Sequence, residues 1–342
     1  MGILIVVLFL IAVLAVYPLI RDYFQKKQLL PLSYTEGLRA MLDGKVDEAI
    51  NFLKDAVKID SNNIDAYLRL AELYKKKGQV ETVSKIYERL ALRRNLNIND
   101  ERKLYQALGR YYFDIGRNQK AITIYEELIN IDKNNLDHYE KLFELYLRTE
   151  QWGQCEELLK KAANLNKEKT SEYYVKLAKV LFEKKPDDAA KYLKEALAYS
   201  RQNSDALILL GKYYYQKQET EIAIKIWNEF LTYYPEKNYL VRRYLEQAYY
   251  DLNQYDEVIK LYQDLLIRIP SDLSLYFALA QIYEKKEDFP SAINLLLKVP
   301  SEQKNKLIYQ IALARLYLLI NNVERARFYL DQIIENYHET DN

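Results

Sequence analysis

The stretch that decides the fold is residues 205–237, "DALILLGKYYYQKQETEIAIKIWNEFLTYYPEK". Within it Gly211 is followed by Tyr214, then by Ala223 and finally by Pro235. Small residues occur where two helices cross closely, and a tyrosine one turn later fills the space beside the crossing. A proline just past a helix ends it, because the residue before proline is pushed out of helical geometry. The stretch therefore predicts two antiparallel helices that pack through a small-residue crossing.

The same pattern recurs along the chain at intervals close to 34 residues. Small residues form a first series, in which Phe143 and Glu246 fill two exceptional slots: Gly37, Ala71, Gly109, Ala178, Gly211, Ala280 and Ala314. A second series is Ala49, Val83, Ala121, Cys155, Ala189, Ala223, Val258, Ala292 and Ala326. A third is Ala40, Tyr74, Tyr112, Tyr146, Leu181, Tyr214, Tyr249, Tyr283 and Tyr317. Three phased series predict about nine helix pairs over residues 30–337.

This spacing of small, tyrosine, glycine and proline residues resembles the tetratricopeptide repeat (TPR) family. Residues 205–237 are its fullest instance. The resemblance implies an all-α fold, a right-handed superhelical solenoid of stacked helix pairs with a concave face. Gly44, Gly78 and Gly116 fall just past first helices, where a left-handed cap needs a residue without Cβ.

Composition excludes several classes of function. The 50 Lys and Arg residues balance 49 Asp and Glu, so the chain has no global basic field for nucleic acid. The single cysteine, Cys155, excludes an intramolecular disulfide and a CxxC metal site, and we expect it to fill a core slot. With only two histidines, His138 and His338, a histidine-based catalytic or metal site is improbable. His138 is predicted to be a solvated surface residue. We expect no enzyme activity, catalytic residue, metal or cofactor.

The N-terminus predicts a membrane anchor. Residues 3–20, "ILIVVLFLIAVLAVYPLI", carry no charge, and as a helix they span about 27 Å, close to the thickness of a bilayer core. Basic residues follow at Arg21, Lys26 and Lys27, which places the repeats on the cytoplasmic side of the inner membrane as a single-pass protein. We predict a transmembrane helix over residues 1–22.

The predicted anchor is followed by a juxtamembrane linker over residues 23–29, and a tail over residues 338–342 follows the repeats. A cleaved signal peptide is the alternative, with Val13, Leu14 and Ala15 as a weak cleavage site. A buried core helix is a further alternative for the same apolar run.

Further features narrow the family. An anchor leads directly into the repeats, an insertion lengthens the chain between the second and third units in residues 89–116, and Trp152 stands at the turn of the fourth unit. Together they are similar to the membrane-anchored lipopolysaccharide assembly protein B family. That family ends in a rubredoxin-like metal module with two CxxC pairs, which this sequence lacks, so no metal site carries over.

The resemblance implies an inner-membrane scaffold that regulates lipopolysaccharide (lipid A) biosynthesis. Such a scaffold bridges an FtsH-type membrane protease and its substrate, the lipid A deacetylase. The alternative, which goes with a cleaved N-terminus, is a periplasmic chaperone-like adaptor in envelope or pilus assembly. Both alternatives are interaction proteins rather than enzymes.

In a tetratricopeptide solenoid the first helices line a concave groove, and residues beside the small slot and just past the core tyrosine point into it. We predict a protein- or peptide-binding groove at Arg110, Phe113, Val175, Lys179, Phe182, Ile208, Lys212, Tyr215, Gln247, Tyr250, Phe277 and Gln281. Apolar rings mixed with Arg, Lys and Gln suit an extended or helical peptide, because ring burial supplies affinity while polar groups set register. The alternative is that some rings only fill the interior of the superhelix.

The last predicted helix raises a separate expectation. It carries Phe328, Tyr329, Ile333 and Ile334, with no further helix in the sequence to cover them. Repeat arrays usually need a polar cap at each end. We therefore expect a partner, or a second copy through self-association, at this uncapped C-terminal end.

Overall fold

A computed structural model describes Tyr17, residues 32–93 and residues 96–340, with side chains up to residue 334. Its regular structure is helical, and no β-strand occurs among these described residues. The prediction of an all-α fold is confirmed. The chain forms two compact units, Met1–Leu165 and Asn166–Asn342.

The first unit, as far as the structure describes it, contains eight helices that form four antiparallel pairs. The helices are α1 (residues 32–42), α2 (Val46–Ile59), α3 (Ile64–Lys76), α4 (Val80–Ala91), α5 (Ile98–Asp114), α6 (Asn118–Ile131), α7 (Leu136–Arg148) and α8 (Trp152–Ala162). Helix α5 has 17 residues, whereas α3 has 13. The insertion between the second and third units therefore lengthens the start of α5.

The second unit contains five further pairs. The helices are α9 (Lys167–Leu181), α10 (Pro186–Tyr199), α11 (Ser204–Gln216), α12 (Thr220–Tyr233), α13 (Arg242–Asp251), α14 (Tyr255–Arg268), α15 (Leu273–Lys285), α16 (Phe289–Leu297), α17 (Leu307–Leu319) and α18 (Val323–Thr340). Short 3-10 helices, Pro235–Leu240 and Ser301–Gln303, precede α13 and α17. Helix α18 continues into the segment that the sequence predicts as a tail.

The predicted small-residue crossings hold each pair together. A Cβ built on Gly211 would lie 2.2 Å from Trp227 Nε1, and one on Gly109 would lie 3.1 Å from the Tyr125 ring. Every residue of the second small series is buried. Because a larger side chain in these slots would overlap the facing helix, the small residues set how closely the two helices approach.

The third series divides into two groups. Tyr74, Tyr112, Tyr146 and Tyr317 are buried as predicted. The remaining tyrosines of the series, Tyr214, Tyr249 and Tyr283, are half-buried. The position therefore packs against the core throughout, but in part of the second unit its ring also meets solvent.

Eight of the nine turns between paired helices contain a residue with left-handed backbone geometry, and the α9–α10 turn, residues 182–185, does not. Gly44, Gly78 and Gly116 have φ between +71° and +73°, as the predicted left-handed caps require. Five later turns adopt the same geometry without glycine, at Glu150, Gln218, Asn253, Glu287 and Asn321, with φ from 56° to 63°. In these eight turns a left-handed residue is therefore kept even where an L side chain has to strain to adopt it.

Among the described residues no helix is both long enough and apolar enough to cross a membrane. The predicted transmembrane helix, residues 1–22, and the predicted linker, residues 23–29, lie outside the described residues apart from Tyr17.

At the far end of the second unit, α18 exposes apolar surface. Phe328 is 56% exposed and Ile334 is 55% exposed. Tyr329 and Ile333 are half-buried, and the Tyr329 ring stacks on Tyr317 with 5.9 Å between centroids.

Candidate partner-binding site

The first unit has a hollow of about 590 Å³ between α3 and α5, called here the α3–α5 hollow. Its lining residues are Asp65, Leu68, Arg69, Glu72, Lys75, Lys76, Tyr87, Ala107, Arg110, Tyr111 and Asp114. The Tyr87 and Tyr111 rings stack with 4.7 Å between centroids, and burial raises the pKa of the Tyr87 hydroxyl to about 12. The hollow thus combines apolar and aromatic side chains with many charged groups.

Most charges of this hollow neutralise one another. Arg69 Nε lies 2.7 Å from Asp65 Oδ2, and Lys75 Nζ lies 2.7 Å from Asp114 Oδ2. Among the described residues, the remaining charges of the lining make no ion pair within 4 Å: Glu72, Lys76 and Arg110. These charges are available to a bound partner.

A second hollow of about 310 Å³, the α5–α7 hollow, lies on the other side of Arg110. Its lining residues are Gln106, Arg110, Tyr125, Asn135, Asp137, His138, Glu140 and Lys141. Because Arg110 lines both hollows and is itself exposed, it forms the boundary between them.

His138 is 5% exposed, so its prediction as a solvated surface residue is wrong. Its Nε2 atom has no hydrogen-bond partner among the described residues. Burial lowers the pKa of the imidazole because the charged form loses its hydration; Asp132 and Asp137 oppose this effect. His138 is therefore held as a neutral ring in the wall of the α5–α7 hollow.

The repeat register could have revealed the burial of His138. It lies five residues before the first-series slot. The residues at this position in the other units after the first are buried: Ala66, Leu104, Tyr173, Ala206, Val241, Leu275 and Tyr309. The counterpart in the first unit, Leu32, is 57% exposed. From the second unit onward, this position therefore faces the core.

Phe113, a predicted apolar contact, is half-buried and lies between two cations. The Arg148 guanidinium is 4.1 Å from its ring centroid and the Lys141 ammonium is 4.8 Å from it. Cations over an aromatic face are attracted by its quadrupole. The ring therefore positions basic groups from α7 beside the hollow.

In the second unit, a hollow of about 490 Å³ between α9 and α11, the α9–α11 hollow, brings together Val175 and Lys179. Val175 is only 3% exposed, so it belongs to the wall rather than to an open surface. Lys179 Nζ lies 2.6 Å from Asp205 Oδ2. Phe182 caps the C-terminus of α9 and is half-buried.

The remaining predicted residues lie along α11, α13 and α15. Ile208, Tyr215 and Tyr250 are half-buried against the core of the second unit, and Phe277 packs against a further apolar cluster nearer its end. Gln281 is exposed. Four apolar members of the predicted groove thus have a packing role.

An acidic residue that sequence reasoning missed joins two of these side chains. The Tyr215 hydroxyl donates to Asp251 Oδ2 at 2.5 Å, and the Gln247 amide donates to Asp251 Oδ1 at 2.8 Å. Lys212 places its ammonium 4.7 Å from the centroid of the Tyr244 ring. The polar groups on these first helices are therefore largely engaged with one another.

Cys155 fills its predicted core slot, and burial raises its thiol pKa to about 12, so the thiol stays protonated. Within the described ranges no group of three His, Cys, Asp or Glu side chains could hold a metal ion.

Comparison with models of known families agrees with this architecture. Family models for the tetratricopeptide repeat match residues 40–108, 103–135, 181–240, 247–303 and 308–339. A solved tetratricopeptide repeat protein from Parabacteroides merdae is 13% identical, with a TM-score of 0.40, and the match covers 85% of this chain and 99% of that one.

Two curated relatives carry the same name. Lipopolysaccharide assembly protein B of Escherichia coli strain K12 is 23% identical over 197 residues, 56% of this chain and 51% of that protein. The protein of that name from Haemophilus influenzae is 22% identical over 291 residues, 81% of this chain and 72% of that protein. The chain spans about half the length of the Escherichia coli relative. It belongs to the tetratricopeptide repeat family and is homologous to lipopolysaccharide assembly protein B.

Proposed function

We propose that this protein is a tetratricopeptide scaffold that binds other proteins through the hollows between its first helices. The observation that carries the proposal is the pair of adjoining hollows in the first unit, in which stacked tyrosines lie beside charges that have no ion pair among the described residues. Aromatic burial supplies binding energy, and unpaired charges at the boundary select a partner and its register.

The proposal extends to the inner membrane. The uncharged run at residues 3–20 supports a single-pass transmembrane anchor, and the basic residues after it support repeats in the cytoplasm. Homology to lipopolysaccharide assembly protein B supports a role in regulating lipopolysaccharide biosynthesis. The partners we propose are an FtsH-type membrane protease and the lipid A deacetylase, which the scaffold bridges.

In-cell photo-crosslinking tests the partner assignment. A photoreactive amino acid replaces Lys76 in the α3–α5 hollow or Glu172 in the α9–α11 hollow, and mass spectrometry identifies the trapped proteins. The matched control is Gln119, an exposed residue on the second helix of a pair. We expect the protease and the deacetylase from the hollow positions and not from the control.

One result would contradict the role in lipopolysaccharide biosynthesis alone, and another would contradict the scaffold function itself. Capture of other proteins without the protease and the deacetylase would remove the lipopolysaccharide assignment and leave a scaffold. Hollow positions that trap nothing beyond the Gln119 control would remove the scaffold function itself.

Reporter fusions at the C-terminus test the topology. We expect a fluorescent protein that matures in the cytoplasm to be active and an alkaline phosphatase that folds only in the periplasm to be inactive. The opposite pattern would favour the periplasmic adaptor with a cleaved N-terminus.

A further inference from the structure

We propose that the end face of α18 is an interface between two copies of this chain, which pair through the same face about a two-fold axis. The end face is defined by Val323, Leu330 and Ile334, which form one stripe of the helix because they are spaced by seven and four residues. Their exposed fractions are 65%, 43% and 55%. This interface goes beyond the proposed scaffold function, because it would give one assembly two sets of hollows.

The repeat register shows that a neighbouring unit normally covers this stripe. Leu330 lies four residues after the second-series slot, and residues at this position in earlier second helices contact the first helix of the next unit. Trp227 stacks on Tyr244 of α13 with 5.4 Å between ring centroids. The Tyr125 ring lies 6.4 Å from the imidazole of His138 in α7.

Burial at this position is the rule in the rest of the chain. Seven of the eight earlier residues are buried: Leu53, Tyr125, Leu159, Leu193, Trp227, Tyr262 and Leu296. The eighth, Tyr87, is half-buried. In α18 the same position keeps an apolar residue, Leu330, but leaves it 43% exposed. The end face therefore has the composition of an interface between units and lacks its cover among the described residues.

The opposite end of the array is polar. Tyr111 marks the side of a first helix that meets the preceding unit, since its ring stacks on Tyr87 of α4. The counterpart of Tyr111 in α1 is Arg39, which pairs with Glu36 at 3.5 Å. The Glu36 position is a buried leucine in all later units: Leu70, Leu108, Leu142, Leu177, Leu210, Leu245, Leu279 and Leu313. A copy that docked α1 onto the end face would have to desolvate this ion pair, which is costly.

A second end face is a better counterpart. In a two-fold interface the same patch is used by both copies, so the apolar stripe of one would cover that of the other. Arg327 and Asp331 lie beside the stripe and are 81% and 59% exposed. When two identical helices pack antiparallel, the order of these charges is reversed and unlike charges meet, whereas parallel packing would place like charges together. The charges therefore favour an antiparallel pair of α18 helices.

Phe328 provides a control on the same helix. It is 56% exposed, about as much as Ile334. It lies two positions before Leu330, however, and so on nearly the opposite side of the helix. Exposed apolar area alone would make Phe328 as important for pairing as the end face, whereas the repeat register assigns it no part.

Analytical ultracentrifugation of the full-length chain in detergent micelles tests the interface. We expect a reversible dimer with a dissociation constant on the order of micromolar. Leu330→Glu should weaken the dimer about tenfold or more, because the interface would bury a carboxylate without a partner. The matched control, Phe328→Glu, should change the dissociation constant less than about twofold. Hydrogen exchange in α17 checks that both variants keep the last unit folded.

Cysteine crosslinking tests the same contact without adding a charge. Cys155→Ala supplies the background, since alanine fills this slot in several other units. With copper phenanthroline as oxidant, Leu330→Cys should form a disulfide between two copies, and Phe328→Cys should not. A mixture of Leu330→Cys and Leu32→Cys chains tests head-to-tail stacking, because Leu32 is the exposed apolar residue at the start of α1.

The interface is overturned if the chain stays monomeric, if Leu330→Glu and Phe328→Glu weaken the dimer equally, or if Leu330→Cys crosslinks only to Leu32→Cys. These outcomes are separable from the scaffold function. Proteins trapped at Lys76 by a monomeric chain would retain the scaffold and remove the interface. A dimer through α18 whose hollows capture no protein would do the reverse.

Discussion

The two units of the chain are built on one repeat, yet they differ in what occupies its crossing and in which charges stay unpaired. Gly109 in the first unit faces the Tyr125 ring, whereas Gly211 in the second faces the larger ring of Trp227. The difference shows that a crossing with a glycine accepts facing rings of different size.

The hollows differ in charge. In the first unit Arg110 remains without an ion pair among the described residues. In the α9–α11 hollow Lys179 is paired, and the carboxylates of Glu168 and Glu172 remain beside the ammonium of Lys176. Packing constrains the crossing because a buried overlap is costly, but a solvated charge contributes little to folding and can vary. The units thus share a fold and offer different surfaces.

The largest effect is expected from Gly211→Ala. The added Cβ would overlap Trp227, which is fully buried, so the ring must shift. Overpacking of this kind lowers the free energy of unfolding by about 2 to 3 kcal/mol. Urea denaturation followed by tryptophan fluorescence measures it in a Trp152→Phe background, which leaves Trp227 as the reporter of the second unit.

Gly109→Ala is the matched change in the first unit. Its Cβ would lie 3.1 Å from the Tyr125 ring, a contact that needs a shift of only a few tenths of an ångström. The better helix propensity of alanine offsets part of the cost, so we expect a change within about 1 kcal/mol, measured by hydrogen exchange in α5 and α6. Equal losses at the two glycines would contradict the difference between the crossings.

Substitutions of the left-handed turn residues should change the free energy of unfolding by smaller amounts, with opposite signs in the two units. Gln218→Gly should raise the free energy of unfolding of the second unit by roughly 0.5 kcal/mol, because glycine adopts the left-handed φ of 63° without strain. Gly116→Gln in the first unit should lower it by about 1 kcal/mol. The same urea experiment measures the first change, and hydrogen exchange across the α5–α6 turn measures the second.

If Gln218→Gly destabilised its unit, the left-handed turn would not be strained by its glutamine side chain. The conservative control is Gln218→Asn, since asparagine tolerates this geometry better than most L residues and should lie between the two.

The smallest expected effect is the pH dependence of the stability of the first unit, which His138 contributes. The folded pKa of His138 is lowered below its unfolded value, so the unfolded chain binds more protons near that pH. The contribution of His138 to stability is therefore present above the unfolded value of about 6.5 and is lost as pH falls through the folded value. The charges that face it are Asp132, Asp137, Arg110 and Arg102.

Hydrogen exchange in α7 between pH 7.5 and 5 measures this loss. His138→Gln should flatten the pH dependence of α7 opening, because glutamine does not titrate in this range. An unchanged slope in the variant would mean that another group is responsible.

Much of the fold follows from the sequence because its determinants are local. The three series place the crossings, and glycine marks three of the left-handed turns. The other five turns escaped prediction, since Glu150 and Gln218 carry no signal of positive φ by themselves. The burial of His138 follows only from its repeat position, where every counterpart from the second unit onward is buried.

The candidate site was predictable only in part. Arg110 was identified from its place beside the small slot, and it does line two hollows. Phe113 is predicted from a different feature, its place just past the core tyrosine Tyr112. Its neighbours Arg148 and Lys141 come from another helix, and nothing in the local sequence places them on its ring.

By itself, the sequence determined the period, the paired helices and the positions that must stay small, because each depends on residues within one repeat. Tertiary structure decided which charges cancel. Lys75 reaches Asp114 across 39 positions of sequence, and that pairing leaves Arg110 unmatched. An ion pair needs its two atoms within about 4 Å, and the stagger of neighbouring helices, rather than the composition of either one, sets that distance.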